Sequence, residues 1–417
     1  MMDRNSPVLS ISECQRASKY AIRVCNEMTA YSKLVDNTEG IPLLEREEVI
    51  LGDLLGSGGF NHVFEVFSIE LNTQQPQSNS PQSSSNSPQS QTSSTTSSTT
   101  SPYNERLSTP QQRMARQMLA KRDKPLAVKF LNDECMRNSE DYCNGAADLL
   151  LEARYLSALA SYPHPNIIHL HGVAAAGAEG FSNGTEGGYF LILDRLYDTL
   201  DNRLGVWKEL ERRKLLGVHN NADYALQLKA LFLRRLEVGL DLASALQHLH
   251  KLRIIFRDLK PDNVGFDYGG TLKLFDFGLA KELDPRQRSA KGKYTMSGAT
   301  GSRRYMAPEV AMSLPYHLSA DVYSFAVLLW EVLSLDKAFG NMSTEQHRAY
   351  VIQGDRRPKL SPTWSPLLQS LIESCWNPEA HSRPNMKQIY KSLCKEQEAY
   401  SKASSLIVRR NERRGTV

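Results

Sequence analysis

The sequence lacks any apolar run that approaches the roughly 18 residues of a membrane-spanning helix, and its first residues lack the apolar core of a secretory signal. It also lacks a large surplus of one charge, since 50 Lys and Arg stand against 46 Asp and Glu. A net charge of +4 gives no reason to expect nucleic acid as a partner. These absences favour a globular cytoplasmic protein without a membrane span, and the short basic stretch 409–414 leaves the nucleus as an alternative.

Cysteine is also sparse: six residues are scattered along 417 without metal-ligand spacing or the density of a secreted disulfide framework. We interpret them as reduced thiols. The chain is 41% hydrophobic and 23% charged, which is enough apolar material for one large core or two smaller lobes. This composition is compatible with a globular enzyme.

Residues 72–102 contain only Asn, Thr, Gln, Pro and Ser, so they have neither apolar groups to bury nor charge. We predict a disordered insert over 72–112. Alternating apolar residues predict strands at 49–55 and 63–69 before the insert and at 126–131 after it. Loop-closure entropy grows by only about 0.6 kcal/mol per doubling of length, so the insert is expected to be a long hairpin loop inside one domain.

The remaining periodicity predicts a strand at 189–193, a helix at 148–159 and a helix-rich second half. The helices predicted in that half span 233–249, 320–333, 366–375 and 386–393. The expected fold class is α+β with two unequal lobes: a small antiparallel-sheet lobe at about 48–196 and a large helical lobe at about 197–394.

Two segments flank this domain. Residues 1–47 form an N-terminal extension with one amphipathic helix, whose apolar face is predicted to carry Val24, Met28, Tyr31 and Val35. Packing of this helix on the domain is favoured over binding of a partner protein. Residues 395–417 are expected to be a C-terminal tail.

The first motif with chemical content is a glycine-rich turn between the first two predicted strands. It contains Gly56, Gly58 and Gly59 between Leu55 and Val63. Because glycine has no side chain, the backbone N–H groups of this turn can approach a polyphosphate closely. An ordinary hairpin turn is the alternative, and the residues that follow the turn decide between it and a phosphate-binding loop.

The next predicted strand, 126–131, carries Ala127 and Lys129 and favours the phosphate-binding loop. A lysine flanked by core residues is costly to bury without an anionic partner. Phosphate groups and Glu152, on the following helix, would supply that charge, although Glu152 could instead be a solvated surface residue.

The most specific signal is the stretch 256–263, Phe-Arg-Asp-Leu-Lys-Pro-Asp-Asn, followed by Asp-Phe-Gly at 276–278 and Met-Ala-Pro-Glu at 306–309. These segments resemble the catalytic loop, the metal-binding motif and the end of the activation segment of the eukaryotic protein kinase family. Their order and intervals agree with that family.

This resemblance implies a role for each polar residue. Asp258 would orient the substrate hydroxyl and accept its proton, and Lys260 would neutralise charge on the migrating phosphate. Asn263 and Asp276 would hold Mg²⁺, and Lys129 would bind the α- and β-phosphates of ATP. The implied cofactors are therefore ATP and Mg²⁺.

The resemblance also assigns the nucleotide pocket. Leu193 would be the gatekeeper, while Asp194 and Leu196 would offer backbone groups to adenine, which Val63 and Ala127 would cover. A glycine at 265 stands where the family usually has an apolar side chain beneath adenine.

Lys260 followed by proline resembles serine/threonine kinases. The sequences of 321–331 and 375–384 resemble the tyrosine kinase-like group of those kinases. The implied activity is phosphorylation of serine or threonine on protein substrates in intracellular signalling. Alternatives are a pseudokinase-type scaffold, supported by Asn61 and Gly265, and a dual-specificity or tyrosine kinase.

Regulation is expected in the segment that follows Asp276. The resemblance implies that Arg257 pairs with a phosphate on this segment. The candidate acceptors, for a possible upstream kinase, are Ser289, Thr295, Ser297 and Thr300. A solvated basic loop is the alternative.

Overall fold

The small lobe is built on one six-stranded sheet. The computed structural model describes residues 9–30, 32, 34, 40–72, 107, 109–215 and 222–414. The sheet strands are β1 Leu43–Leu44, β2 Val49–Ser57, β3 Asn61–Ile69, β4 Leu126–Leu131, β5 Leu170–Ala174 and β6 Phe190–Asp194. Their order is β1-β5-β6-β4-β3-β2, and every residue of β4 is buried. The central position of β4 explains its nearly continuous apolar sequence.

Strands β3 and β4 pair antiparallel on either side of the predicted insert, as a hairpin connection requires. The central part of the insert, residues 73–106, lies outside the described residues. Its predicted end at residue 112 is wrong, because helix α2 spans Pro110–Ala120. Thr109 caps this helix, proline occupies its first turn and Leu119 is buried, so the helix has both a start signal and an anchor.

Two further helices complete the small lobe: α1, Ile11–Thr29, and α3, Ser139–Leu159. Helix α3 begins nine residues before the predicted residue 148, where Asn138 accepts hydrogen bonds from the first-turn amides. Helix α1 packs on α3, which supports the preference for packing on the domain.

The predicted apolar face of α1 was partly wrong. Its buried residues are Cys14, Ala17, Ser18, Ala21 and Cys25, whereas Val24 and Met28 are only partly buried at the edge of the contact. Positions 31 and 35 lie outside the described residues. Small side chains form the contact because the two helices approach closely, and a search for large apolar residues overlooks such a face.

The large lobe is helical. Its helices are α4 Leu200–Leu215, α5 Ala222–Lys251, α6 Pro308–Ala311, α7 Ser319–Ser334, α8 Thr344–Gln346, α9 Pro366–Cys375 and α10 Met386–Arg414. Its short strands are β7 Asp198–Thr199, β8 Ile254–Ile255, β9 Val264–Phe266, β10 Leu272–Leu274 and β11 Lys281–Glu282. Residues 319–333 are all buried, so α7 is the central helix of this lobe.

The predicted tail from residue 395 is wrong in part, because α10 continues to Arg414. Glu396 is buried and accepts a hydrogen bond from Ser365 at 2.6 Å, and the Tyr400 ring lies 4.7 Å from that of Phe232. Helix α10 therefore remains part of the folded domain beyond residue 394. In the part of the chain that is described, no helix combines the length and apolarity needed to cross a membrane.

Candidate active site

The glycine-rich turn joins β2 and β3 above the cleft between the lobes. The Gly58 N–H donates to the Asn61 carbonyl at 2.8 Å and closes the turn. A Cβ atom placed on Gly56 or Gly59 would meet nothing within 4 Å. These glycines are therefore not required by packing inside the chain, and the space beside them is open to a ligand.

Asn132, which sequence reasoning missed, fixes this turn from below. Its side-chain amide donates to the carbonyls of Gly58 at 3.1 Å and Gly59 at 3.3 Å, and its Oδ1 accepts from the Cys135 N–H at 2.7 Å. Its own N–H donates to the Phe60 carbonyl at 2.8 Å. All of these partners are backbone groups, which every residue type has. The role of Asn132 therefore could not be predicted from a pattern of side chains in the sequence.

Lys129 lies at the centre of the cleft with a carboxylate on each side. Its Nζ is 2.6 Å from Glu152 Oε2 on α3 and 3.1 Å from Asp276 Oδ1 in the large lobe. Burial alone lowers the pKa of Lys129, but the charges of Asp276 and Glu152 outweigh it and raise that pKa. The buried lysine therefore has the predicted partner Glu152 and, in addition, Asp276, and it keeps its proton.

The catalytic-loop residues converge on Asp258, which is 7% exposed. Its Oδ2 accepts hydrogen bonds from Lys260 Nζ at 2.7 Å and from Asn263 Nδ2 at 3.0 Å. Its Oδ1 accepts from the Ser302 N–H at 2.8 Å. The carboxylate is thereby held in one orientation by three donors.

Asp321, on the central helix α7, holds the loop itself and was also missed. Its carboxylate accepts from the N–H groups of Phe256 and Arg257 and from His250 Nε2, each at 2.9 Å. The Phe256 ring packs edge-on against Phe277 with centroids 5.2 Å apart. These contacts fix the backbone from which Asp258 projects.

The residues predicted to cover adenine meet at the inner face of the sheet. Ala127 pairs with Leu193 across β4 and β6, and Val63 pairs with Lys129 across β3 and β4. A Cβ added to Gly265 would lie 2.5 Å from Leu196 Cδ1. The Leu196 side chain therefore occupies the space that a larger residue at 265 would fill. The Asp194 N–H donates to the His169 carbonyl at 3.2 Å. Of the two backbone groups of Asp194, the carbonyl is therefore the candidate for a hydrogen bond with adenine.

Asp148, one turn before Glu152 on α3, is a third missed residue. Its Cβ would be 3.0 Å from a Cβ added to Gly278, two residues after the predicted metal-binding Asp276. Burial, and then the charge of Asp276, raises the pKa of Asp148 to about 7. The group therefore changes its charge near neutral pH beside the candidate metal site.

The regulatory candidates separate into two groups. Arg257 Nη1 donates to Ser297 Oγ at 3.0 Å, and Thr300 Oγ1 donates to the same oxygen at 2.9 Å. Ser289 instead accepts from a backbone amide four residues along the chain at 3.1 Å. Thr295 is exposed and makes no hydrogen bond with any described residue.

A buried ion pair ties the end of this segment to the large lobe. Arg383 donates to both oxygens of Glu309 at 2.7 and 2.9 Å. The bidentate geometry is the strongest form of this interaction. It anchors the segment 306–309 independently of the loop 289–300.

A strand-rich lobe above a helical lobe, with one lysine, two aspartates and an asparagine at the cleft, defines a phosphotransferase of the kinase class. Comparison with known families supports this assignment, because residues 112–393 match the protein kinase domain. The match covers more than half of the chain, and the chain belongs to the protein kinase domain family. The β2–β3 hairpin precedes the matched range but pairs with β4 in the same sheet.

Among curated proteins, the chain is similar to plant kinases. It is 37% identical to the serine/threonine-protein kinase STY17 of Arabidopsis thaliana over 38% of this chain and 26% of that protein. Identity is 38% to the serine/threonine-protein kinase VIK over 37% and 36% of the two chains. The chain is 32% identical to the serine/threonine/tyrosine-protein kinase HT1 of Arabidopsis thaliana over 41% of each chain. The chain thus spans well under half the length of these relatives, and the matches support the placement in the tyrosine kinase-like group.

Proposed function

We propose that this chain is an ATP- and Mg²⁺-dependent protein kinase that transfers the γ-phosphate to serine or threonine hydroxyls of protein substrates. The observation that carries the proposal is the convergence of Lys260 and Asn263 on the buried Asp258, below a lysine held between Glu152 and Asp276. Phosphoryl transfer needs alignment and charge neutralisation more than covalent chemistry, and these groups supply both.

In the proposed reaction, Asp258 accepts the proton of the substrate hydroxyl while the hydroxyl oxygen forms a bond to the γ-phosphorus. The bond from that phosphorus to the β-phosphate oxygen breaks, and ADP leaves. Lys260 now bonds Asp258 Oδ2 and is 24% exposed, so its ammonium can turn to the γ-phosphate. That movement frees one lone pair of Asp258 for the hydroxyl. Lys129 keeps the phosphate tail in place.

The candidate metal ligands fit Mg²⁺ in their donor chemistry. Asn263 uses its amide nitrogen to donate to Asp258, at 2.9 Å to the carbonyl and 3.0 Å to the carboxylate, which leaves its amide oxygen for a cation. The Asp276 side chain is 43% exposed to the cleft. Carboxylate and amide oxygens are the ligands that Mg²⁺ prefers. When bound, the metal would neutralise phosphate charge.

The protein acceptor is expected at a cavity of about 750 Å³ on the large lobe, next to the catalytic loop. Lys260, Ser302 and Tyr305 line it, so an extended segment there would reach Asp258. Phosphoamino-acid analysis of the product decides the acceptor. Phosphoserine or phosphothreonine is expected. Phosphotyrosine would favour the dual-specificity alternative, since the similar protein HT1 is a serine/threonine/tyrosine-protein kinase.

The central test is transfer of labelled phosphate from MgATP to a generic substrate by wild-type protein and by Asp258→Asn. The amide cannot accept the proton, so kcat is expected to fall by about 10²- to 10⁴-fold. Asp123→Asn, the same change at an exposed carboxylate, is the matched control and should retain wild-type kcat. Equal activity of Asp258→Asn and wild type would contradict the proposal and favour a scaffold.

A further inference from the structure

A second cavity lies between the end of α3, the segment 162–171 and strand β10, next to the last residue of β6. Its volume is about 300 Å³. Its charged and imidazole-bearing lining residues include Arg122, Lys124, His169, His171, Asp194 and Lys273. Three permanent cations and one carboxylate therefore surround a space that the chain does not fill, and neither the catalytic residues nor the glycine-rich turn contribute to it.

The single carboxylate is already engaged. Asp194 Oδ1 accepts a hydrogen bond from His171 Nε2 at 2.7 Å, and Oδ2 accepts from the His169 N–H at 3.0 Å. Arg122 Nη1 donates to the other ring nitrogen of His171 at 2.8 Å, which fixes the neutral tautomer of that ring. Asp194 therefore supplies one negative charge against three cations, and the lining keeps a net positive charge.

Lys273 is the least exposed of the three cations and is ion-paired with Asp194. Its side chain is only 14% exposed, and its ammonium lies 3.5 Å from Asp194 Oδ2. Within the described part of the chain that ammonium makes no hydrogen bond, although it carries three donors. One carboxylate at 3.5 Å can engage at most part of these donors, so an anion in the cavity would give Lys273 further acceptors.

The rest of the lining is apolar and the imidazoles are uncharged. Burial and the neighbouring His171, Arg122 and Lys273, opposed by Asp194, lower the pKa of His169 to about 4. Apolar lining residues include Leu159, Tyr162, Pro163, Pro165 and Ile168. The cavity therefore offers fixed positive charge on one part of its wall and a hydrocarbon surface on another.

We propose that this cavity binds a small organic phosphate monoester. Arg122, Lys124 and Lys273 contact the phosphate through charge-assisted hydrogen bonds, and the apolar wall covers the organic group. The volume lies at the lower end of the range of about 300–1,000 Å³ for small-molecule sites, which fits a ligand with one ring. The ligand would lie directly behind the hinge residue Asp194, on the opposite side of the sheet from the nucleotide.

The test is calorimetric titration of the full chain with phenyl phosphate, inorganic phosphate and phenol. Excess adenosine and a chelator are present, so that the adenine pocket is filled and the carboxylates of Glu152, Asp258 and Asp276 repel anions from the catalytic cleft. Phenyl phosphate is expected to bind at least tenfold more tightly than inorganic phosphate or phenol, because only it satisfies both parts of the wall.

Lys124→Glu is expected to weaken phenyl phosphate binding at least tenfold. Lys121→Glu makes the same charge change three residues away, at an exposed lysine outside the cavity, and should stay within twofold of wild type. Both lysines are exposed, so both variants should fold, which circular dichroism verifies.

Equal affinity of the two variants for phenyl phosphate, or no binding by wild type, would overturn the proposal. A capped phosphotyrosine tripeptide forms a further arm that distinguishes the source of the phosphate. Tighter binding of that peptide than of phenyl phosphate would assign the cavity to a modified protein side chain and overturn the small-molecule assignment. Neither result depends on kinase activity.

Discussion

Asp148 links protonation to the candidate metal site at the scale of a single side chain. Its pKa is raised from 3.8 to about 7, first by burial and then by the charge of Asp276. A carboxyl group with a raised pKa favours the folded state in its protonated form. Its contribution to the free energy of unfolding is therefore complete below the unfolded-state pKa and is lost as pH rises through about 7.

The prediction is that Asp148→Asn, which resembles the protonated acid, removes this pH dependence. Between pH 5 and pH 8 the stability difference between wild type and Asp148→Asn should change by about 2 kcal/mol, with wild type becoming relatively less stable. Urea unfolding of both proteins at several pH values measures it. Glu140→Gln, at an exposed carboxylate on the same helix, should leave the slope unchanged. Parallel pH profiles for wild type and Asp148→Asn would refute the pKa assignment.

Asn132 gives a second prediction at the residue scale, because it is the link between the glycine-rich turn and the chain after β4. Asn132→Ala removes both donors and acceptor, and Asn132→Asp keeps the acceptor for Cys135 but loses the donors to Gly58 and Gly59. Both variants should raise KM for ATP about tenfold with a smaller change in kcat, since about 1 kcal/mol is lost per hydrogen bond.

The control for this prediction is Asn138→Ala, which removes the cap of α3 and should lower stability by about 1 kcal/mol without a comparable change in KM. Steady-state kinetics and thermal unfolding separate the two effects. If Asn132→Asp keeps the wild-type KM, the donors to the turn have no functional role.

At the scale of elements, the contact between α1 and α3 explains why α3 showed so weak a helical pattern in the sequence. Most residues between 142 and 159 are buried, because the sheet covers one face of α3 and α1 covers another. A helix buried on several sides has no polar stripe, so periodicity indicated only its last part. The cap at Asn138 was the signal that could have placed its start.

We predict that α1 keeps α3 in the position where Glu152 reaches Lys129. Ala21→Glu places a charge in the contact, where Ala21 is fully buried, and kcat should fall at least tenfold as α3 shifts. Lys19→Glu on the exposed face of α1 should have no such effect. Arg16→Ala, which removes the 2.7 Å hydrogen bond to Ser139, is a milder variant in case Ala21→Glu fails to fold. Unchanged kcat in a folded Ala21→Glu protein would contradict this role.

At the scale of the whole molecule, the site depends on contacts between chain segments that are far apart. Residues 256–263 and 276–278 were recognisable because the catalytic groups of this family lie within short stretches of sequence. Asn132 and Asp321 were not, because they act on backbone groups 74 and 65 residues away, which any residue type provides. The two-lobe architecture was predictable from periodicity. The start of α2 at residue 110 and the continuation of α10 beyond residue 394 were not, because they depend on tertiary packing.

The activation segment connects these distant parts, and the last prediction concerns it. Arg257 donates to Ser297 Oγ at 3.0 Å, while burial and the Arg257 charge lower the pKa of Lys281 on β11. Arg257 therefore contacts Ser297 Oγ directly and lies close to Lys281, and a phosphate on Ser297 would bring a charge of about −1.5 to −2 beside Arg257. Phosphorylation of Ser297 is expected to order the segment and raise kcat.

After incubation with MgATP or an upstream kinase, Ser297→Ala should have at least tenfold lower kcat than wild type, and Ser297→Asp should recover part of the loss. Thr295→Ala, two residues away at an exposed hydroxyl that makes no hydrogen bond with the described residues, should match wild type. Mass spectrometry locates the phosphate, and peptide phosphorylation measures kcat. Because Thr300 donates to Ser297 Oγ, Thr300→Ala is expected to have an intermediate effect through the position of Ser297. Loss of activity in Thr295→Ala with full activity in Ser297→Ala would transfer the regulatory role to Thr295.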